Sequence, residues 1–199
     1  MNSSPYRKIA AAELVVAPWK NGGGVTTEIA AGAPQSDDQD WSWRVSVADV
    51  GATGPFSAFQ GIDRTIAVVE GSGMDLRFDD GRMLPLEVNR PVDFDGGDAV
   101  TGILHDGAVR DFNVMVDRRV YSAQLDIVDK PETVTRRLSA GDVLLIHVLD
   151  GGCAIVPGGS QDVLGPDETA IFEGMAQVAV SVPLDARVAI VTLEEAAGA

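Results

Sequence analysis

The sequence is poor in the residues that most often carry chemistry. Its 199 residues include one cysteine, two histidines and only three lysines. A lone thiol, Cys153, excludes an intramolecular disulfide framework and leaves no thiolate cluster for zinc. It sits in Gly151-Gly152-Cys153-Ala154-Ile155 with no basic neighbour to lower its pKa, and reads as a packed, inert residue. His105 and His147 fall in different halves, whereas a β-barrel metal site wants two or three imidazoles and a carboxylate on one lumen. No G-x-S-x-G elbow is present for a Ser-His-Asp system. No stretch approaches the roughly 18 uninterrupted apolar residues of a membrane span. The run Met1 to Lys8 has no apolar h-region, so a cytoplasmic setting is expected. Positive charge is scarce as well: 15 Lys and Arg stand against 30 Asp and Glu, a formal net charge of −15. That balance argues against nucleic acid and against an anionic membrane surface. The hydrophobic fraction of 45% is ordinary for a globular protein, so the charge does not signal disorder.

What the chain has is punctuation and alternation. The 22 glycines and 10 prolines separate short segments of period two. In Ser42-Trp43-Arg44-Val45-Ser46-Val47 one face takes Trp43, Val45 and Val47, and the other takes Ser42, Arg44 and Ser46. The segments 65–69, 111–116, 142–148 and 187–191 also read as strands. Helical signals are weak: one turn at 10–14 and a frayed end at 193–197. An all-β sandwich or barrel follows. The segments Val68-Val69-Glu70-Gly71-Ser72-Gly73 and Val148-Leu149-Asp150-Gly151-Gly152-Cys153 repeat strand, acidic residue and glycine at an offset of 80. Two related β-modules are therefore expected, one over 1–120 and one over 121–199, packed as one body and open to strand exchange.

The most unusual local sequence runs from Pro18 through Trp19, Lys20, Asn21, Gly22, Gly23 and Gly24 to Glu28. Three successive glycines either let a ligand approach the backbone or form a plain turn before a strand. No G-K-[ST] follows them, and no βαβ unit surrounds them, so neither a P-loop nor a dinucleotide fingerprint is present. On polar strand faces stand Arg44 with Ser46, Arg64 before an apolar strand, and Asn113 beside Asp111 and Met115. Inside a barrel lumen such an Arg offers a fork to a carboxylate; on an outer face it pairs with the plentiful Asp. The 30 acids make so many pairs that a catalytic carboxylate pair cannot be singled out by inspection.

Several ordered motifs resemble the HutD/Ves proteins. They are Pro18-Trp19-Lys20-Asn21-Gly22-Gly23-Gly24-Val25-Thr26-Thr27-Glu28-Ile29, Trp43-Arg44-Val45-Ser46-Val47-Ala48-Asp49-Val50, Gly54-Pro55-Phe56-Ser57-Ala58-Phe59, Gly61-Ile62-Asp63-Arg64-Thr65, Val69-Glu70-Gly71-Ser72-Gly73-Met74 and Arg110-Asp111-Phe112-Asn113-Val114-Met115. The resemblance covers roughly residues 15 to 120; the second half is similar only in general pattern, and the Asp-rich insert Ser36 to Asp40 is a loop outside the aligned motifs. It implies a bicupin, two cupin-type β-barrels or jelly rolls in one chain, without the cupin metal ligands and with no cofactor. It also implies a place in bacterial histidine utilisation, restraining flux rather than catalysing a step, with the anionic metabolite N-formylglutamate as ligand. On that basis Lys20, Arg44 and Arg64 would hold carboxylates. Asn21, Ser46 and Asn113 would bond an amide or formyl group, and Gly22, Gly23 and Gly24 would close over the molecule. Trp19, Phe56 and Phe59 would supply apolar walls, and Glu28 would need Lys20 or Arg44 as a partner. The expected partners are a small anionic metabolite and a second copy in a homodimer, with no nucleic acid and no membrane. The competing expectations are a metal-independent isomerase or hydrolase using Glu28 or Asp63 as base, and a structural interaction module.

Overall fold

Alternation of apolar and polar side chains recurs along the chain, and the computed structural model turns it into strands. It describes residues 6–19, 22–174 and 177–196, among which there are nineteen strands and no α-helix. In chain order they are β1 (Arg7–Ile9), β2 (Val15–Pro18), β3 (Gly24–Ala31), β4 (Trp43–Val50), β5 (Gly54–Pro55), β6 (Ile62–Glu70), β7 (Met74–Phe78), β8 (Met83–Leu86), β9 (Val92–Asp95) and β10 (Val100–Leu104). There follow β11 (Val109–Asp117), β12 (Tyr121–Val128), β13 (Glu132–Arg137), β14 (Val143–Asp150), β15 (Cys153–Pro157), β16 (Asp162–Leu164), β17 (Thr169–Glu173), β18 (Gln177–Val182) and β19 (Arg187–Glu195). The expected helical turn near Ala10 is a single 3-10 turn, Ala11–Glu13. Of the expected helical end at 193–197, residues 193–195 are instead the end of β19 and Ala197 lies outside the described residues: Leu193 pairs with Val143 and is wholly buried, so packing overrides the weak helical composition.

Among the described residues the chain divides into two compact units, 15–122 with 196, and 6–14 with 123–195. Each is built from two antiparallel sheets. The first has the orders β2-β3-β4-β11-β6-β9 and β5-β10-β7-β8, and the second β1-β17-β14-β19-β12 and β13-β18-β15-β16. Adding eight to each label from β4 to β11 converts the first pattern into the second. The additions differ: β2 and β3 extend the first unit beside β4, whereas β1 extends the second beside β17.

Details repeat as well as order. Register shifts fall between Arg110 and Asp111 against β6, and between Val148 and Asp150 against β19. Among the described residues, two that are not glycine have positive φ, Asn89 and Asp167. Their N–H groups donate to the carbonyls of Val68 and Val148, at 2.7 and 2.9 Å. Apolar residues from both sheets meet inside each unit: Ile66, Val68, Leu76, Phe94 and Val109 in the first, Leu144, Ile155, Phe172, Val180 and Val188 in the second. Cys153 belongs to the second core, where burial pushes its thiol up to about 11. His147 is buried as well, outside that core, its Nδ1 2.8 Å from Thr169 Oγ1, while His105 pairs with Asp75 at 3.1 Å.

Candidate functional site

Register gathers the polar side chains of the first unit. β11 lies between β4 and β6, so Asp111 is opposite Ala48, Asn113 opposite Ser46, and Met115 opposite both Arg44 and Arg64. Beyond β4, β3 places Thr26 opposite Ala48 and Glu28 opposite Ser46. Successive residues alternate faces, so every second residue on these strands looks the same way. Thr26, Arg44, Ser46, Ala48, Arg64, Asp111, Asn113 and Met115 accordingly line one cavity of about 530 Å³. Pro18, Trp19, Pro55, Phe56, Ser57 and Phe59 complete its wall.

Two glycines seat the aromatic walls. A Cβ on Gly102 of β10 would stand 2.6 Å from the Phe56 ring, and one on Gly24 would stand 3.1 Å from the Trp19 ring. Trp19 is held further by an indole N–H donated to Thr26 Oγ1 at 2.7 Å.

The centre of the cavity holds buried charged side chains that are, among the described residues, only partly paired. Arg64 is 3% exposed, with its guanidinium carbon 5.2 Å from the Phe56 centroid and 5.0 Å from that of Phe94. Ring faces attract a cation and offset part of its lost hydration. Its Nη1 donates to Ser57 O at 3.4 Å, while its Nε has no partner. Burial pulls Arg64 down to about 10, against the attraction of Asp111, so it remains protonated at neutral pH. Asp111 is 1% exposed, and neither of its carboxylate oxygens has a hydrogen-bond partner among the described residues. Burial pushes its carboxyl up to about 7, with Arg64 opposing through space and Asp49 reinforcing. Asn113 Oδ1 is a third buried group without a partner.

Of the residues expected from sequence, Trp19, Arg44, Ser46, Phe56, Phe59, Arg64 and Asn113 line this cavity. Glu28 stands beside it and holds Arg44, Oε2 to Nε at 2.7 Å. The glycines do not close over the cavity. Gly22 and Gly23 lie between β2 and β3 and Gly24 opens β3, and all three line a separate depression with Asp49, Glu70 and Arg110. Lys20 and Asn21 lie outside the described residues. Asp63 does not line the cavity and pairs with Arg118 at 2.8 Å. Sequence reasoning passed over Asp111, although alternation places it on the face of Asn113; with 30 acids present, only its burial beside Arg64 distinguishes it.

The second unit supplies a control. By register, Val188 and Ile190 hold the positions of Asp111 and Asn113, and Leu144 that of Arg64. All three are wholly buried in the apolar core. The same topology thus packs a hydrophobic interior in one unit and leaves a polar cavity in the other. The polar groups are not a requirement of the architecture.

The chain is similar to known proteins over most of its length. Protein Ves of Cronobacter sakazakii is 31% identical over 156 residues, 78% of this chain and 80% of its own. An uncharacterized 21.2 kDa protein in the hutC 3' region of Pseudomonas putida is 41% identical over 130 residues, 64% of this chain. This second match spans just under two thirds, 66%, of that relative's length, as does the match to Protein Ves of Escherichia fergusonii, at 65%. Among solved structures, a conserved protein of unknown function from Pseudomonas aeruginosa PAO1 is 33% identical with a TM-score of 0.85, covering 96% of this chain and all of its own. HutD from Pseudomonas fluorescens SBW25 is 29% identical with a TM-score of 0.79, over 96% and 99% of the two chains. A bacterial pirin from Escherichia coli shares the all-β, cupin-like jelly-roll fold alone, at 13% identity and a TM-score of 0.65, over 96% of this chain and all of its own. The HutD family model matches residues 11–191, which takes in the cavity strands and both units, and the chain belongs to the HutD family.

Proposed function

We propose that the cavity holds a small N-acylated amino acid, N-formylglutamate in particular, and that the protein acts in histidine utilisation by binding this metabolite rather than converting it. One observation carries the reading: Arg64 Nε, the Asp111 carboxyl and Asn113 Oδ1 are buried in one cavity without partners among the described residues. Each such group opposes folding by about 1–3 kcal/mol unless something pairs with it. A ligand that satisfies all three brings a carboxylate for Arg64, an N–H for Asn113 and an acceptor for a protonated Asp111. An N-acyl amino acid carries these together, and the Trp19, Phe56 and Phe59 rings contact its aliphatic part. The family name and the hutC-region relative support the process. The two units are read as a duplicated cupin-type module in which one copy keeps the ligand site. Ligand would act by favouring one conformation, or a homodimer, over another.

Calorimetric titration of the protein with N-formyl-L-glutamate tests this. The wild type is expected to bind one equivalent. Arg64→Gln and Asn113→Leu should each weaken binding about tenfold or more, and mass spectrometry should find the ligand unchanged. Equal binding by wild type and both variants would remove the cavity assignment. Product formation would favour an enzyme instead. Asp111 would then be the candidate acid, since Glu28 is paired with Arg44 and Asp63 lies outside the cavity.

A further inference from the structure

The charges of the cavity do not balance once an anion enters. Arg44 of β4 is paired with Glu28 of β3 at 2.7 Å, so its charge is largely answered within the protein. Arg64 of β6 faces Asp111 of β11 through space, without a hydrogen bond between them. Asp49 on β4 and Glu70 on β6 are the nearby acids toward the strand ends, and both are bound to Arg110, Asp49 at 2.8 Å and Glu70 at 3.5 Å. No histidine lines the cavity. Among the described residues, with Asp111 ionised, the two cations of the cavity are already matched by two carboxylates, and a ligand carboxylate arriving at Arg64 would meet a buried like charge. That repulsion is strong where water is excluded.

Resting on the ligand class proposed above, we infer that anion binding in this cavity takes up one proton on Asp111, which then donates a hydrogen bond to an acceptor atom of the ligand. The proton comes from solvent, the carboxyl becomes neutral, and Arg64 is freed to pair with the ligand carboxylate through its unpartnered Nε. Asp111 therefore determines specificity in two ways. It demands an acceptor beside the ligand's carboxylate, and it makes affinity fall as the solution becomes alkaline. Its carboxyl, pushed up to about 7 by burial, is poised for this because it is partly protonated at neutral pH. The ligand's own carboxyls stay ionised through the same range, so the proton is assigned to the protein.

The test is calorimetry of the wild-type protein with N-formyl-L-glutamate at pH 8.0, in two buffers of different ionisation enthalpy, and across pH 5.5 to 8.5. Uptake should approach one proton per ligand at pH 8, and Kd should rise by up to about tenfold per pH unit above neutrality. Asp111→Asn should abolish the proton uptake and flatten the pH profile, whatever its affinity. Binding of the wild type without proton exchange would overturn the inference and leave the ligand reading standing. Proton uptake that persists in Asp111→Asn would also overturn it. An absence of binding at every pH would instead overturn the ligand reading itself.

Discussion

Arg64 and Asp111 oppose folding where they stand, because each loses its hydration and neither gains a hydrogen bond of full strength from the other. For Asp111 the cost depends on pH. Its folded-state pKa, about 7, lies above the ordinary 3.8, so its favourable contribution is complete below about pH 4 and is lost as the pH rises to about 7. Asp111→Asn should therefore be more stable than the wild type at pH 8, by about 1–4 kcal/mol, and nearly equal to it at pH 4. Urea denaturation at the two pH values measures this, and an equal difference at both would contradict it. Gly102 makes the complementary prediction. A Cβ there displaces only the edge of the Phe56 ring, so Gly102→Ala should cost no more than about 1–2 kcal/mol of stability. The same shift moves one of the two rings flanking Arg64, so ligand binding should weaken several-fold in a titration of the folded variant. At this scale the sequence carries Arg44, Ser46 and Asn113 well, because alternation sorts them onto one face. It does not distinguish Asp111 from 29 other acids, since burial depends on residues far along the chain.

At the level of elements, the site is a property of cross-strand register. β4, β11 and β6 bring residues 44–48, 64 and 111–115 together, and a slip of one residue in any of them would turn the polar row away from the cavity. The turns that set this geometry recur in both units, and the second unit allows them to be tested away from the site. Asp167 has a φ of 59° and donates its N–H to Val148 O at 2.9 Å. A side chain with Cβ and no local hydrogen-bonding group pays about 1 kcal/mol in that conformation. Asp167→Ala should lose about that much stability in denaturant, whereas Asp167→Gly should stay within about 0.5 kcal/mol of the wild type. The strand pattern and the repeated acidic-glycine turn are readable from sequence because both are local. The joining of β1 to β17, and the continuation of β19 through Glu195, are not, since each depends on a partner strand distant in sequence. The glycine run illustrates the same limit: its composition suits a ligand loop, yet Gly22 to Gly24 face a different depression from the one lined by Arg64.

For the whole molecule, the net charge of −15 describes the exterior rather than the site. Ion pairs such as Arg110 with Asp49, and Arg118 with Asp63 and Asp95, place many of the scarce cations among surface acids. Arg64 is enclosed instead, and the excess of surface carboxylates does not neutralise it. The two units share sheet order, register shifts and turn geometry, yet Val188, Ile190 and Leu144 make the second interior apolar where the first is polar. The two units thus have interiors of matching topology, and on the proposed reading only the first receives a ligand. The most direct test of that claim is a crystal structure of the protein with N-formyl-L-glutamate. The account predicts one molecule in the first unit, with a carboxylate oxygen about 3 Å from Arg64 Nε and its N–H directed to Asn113 Oδ1. Ligand bound in the Gly22–Gly24 depression or in the second unit, with the Arg64 cavity holding none, would contradict it.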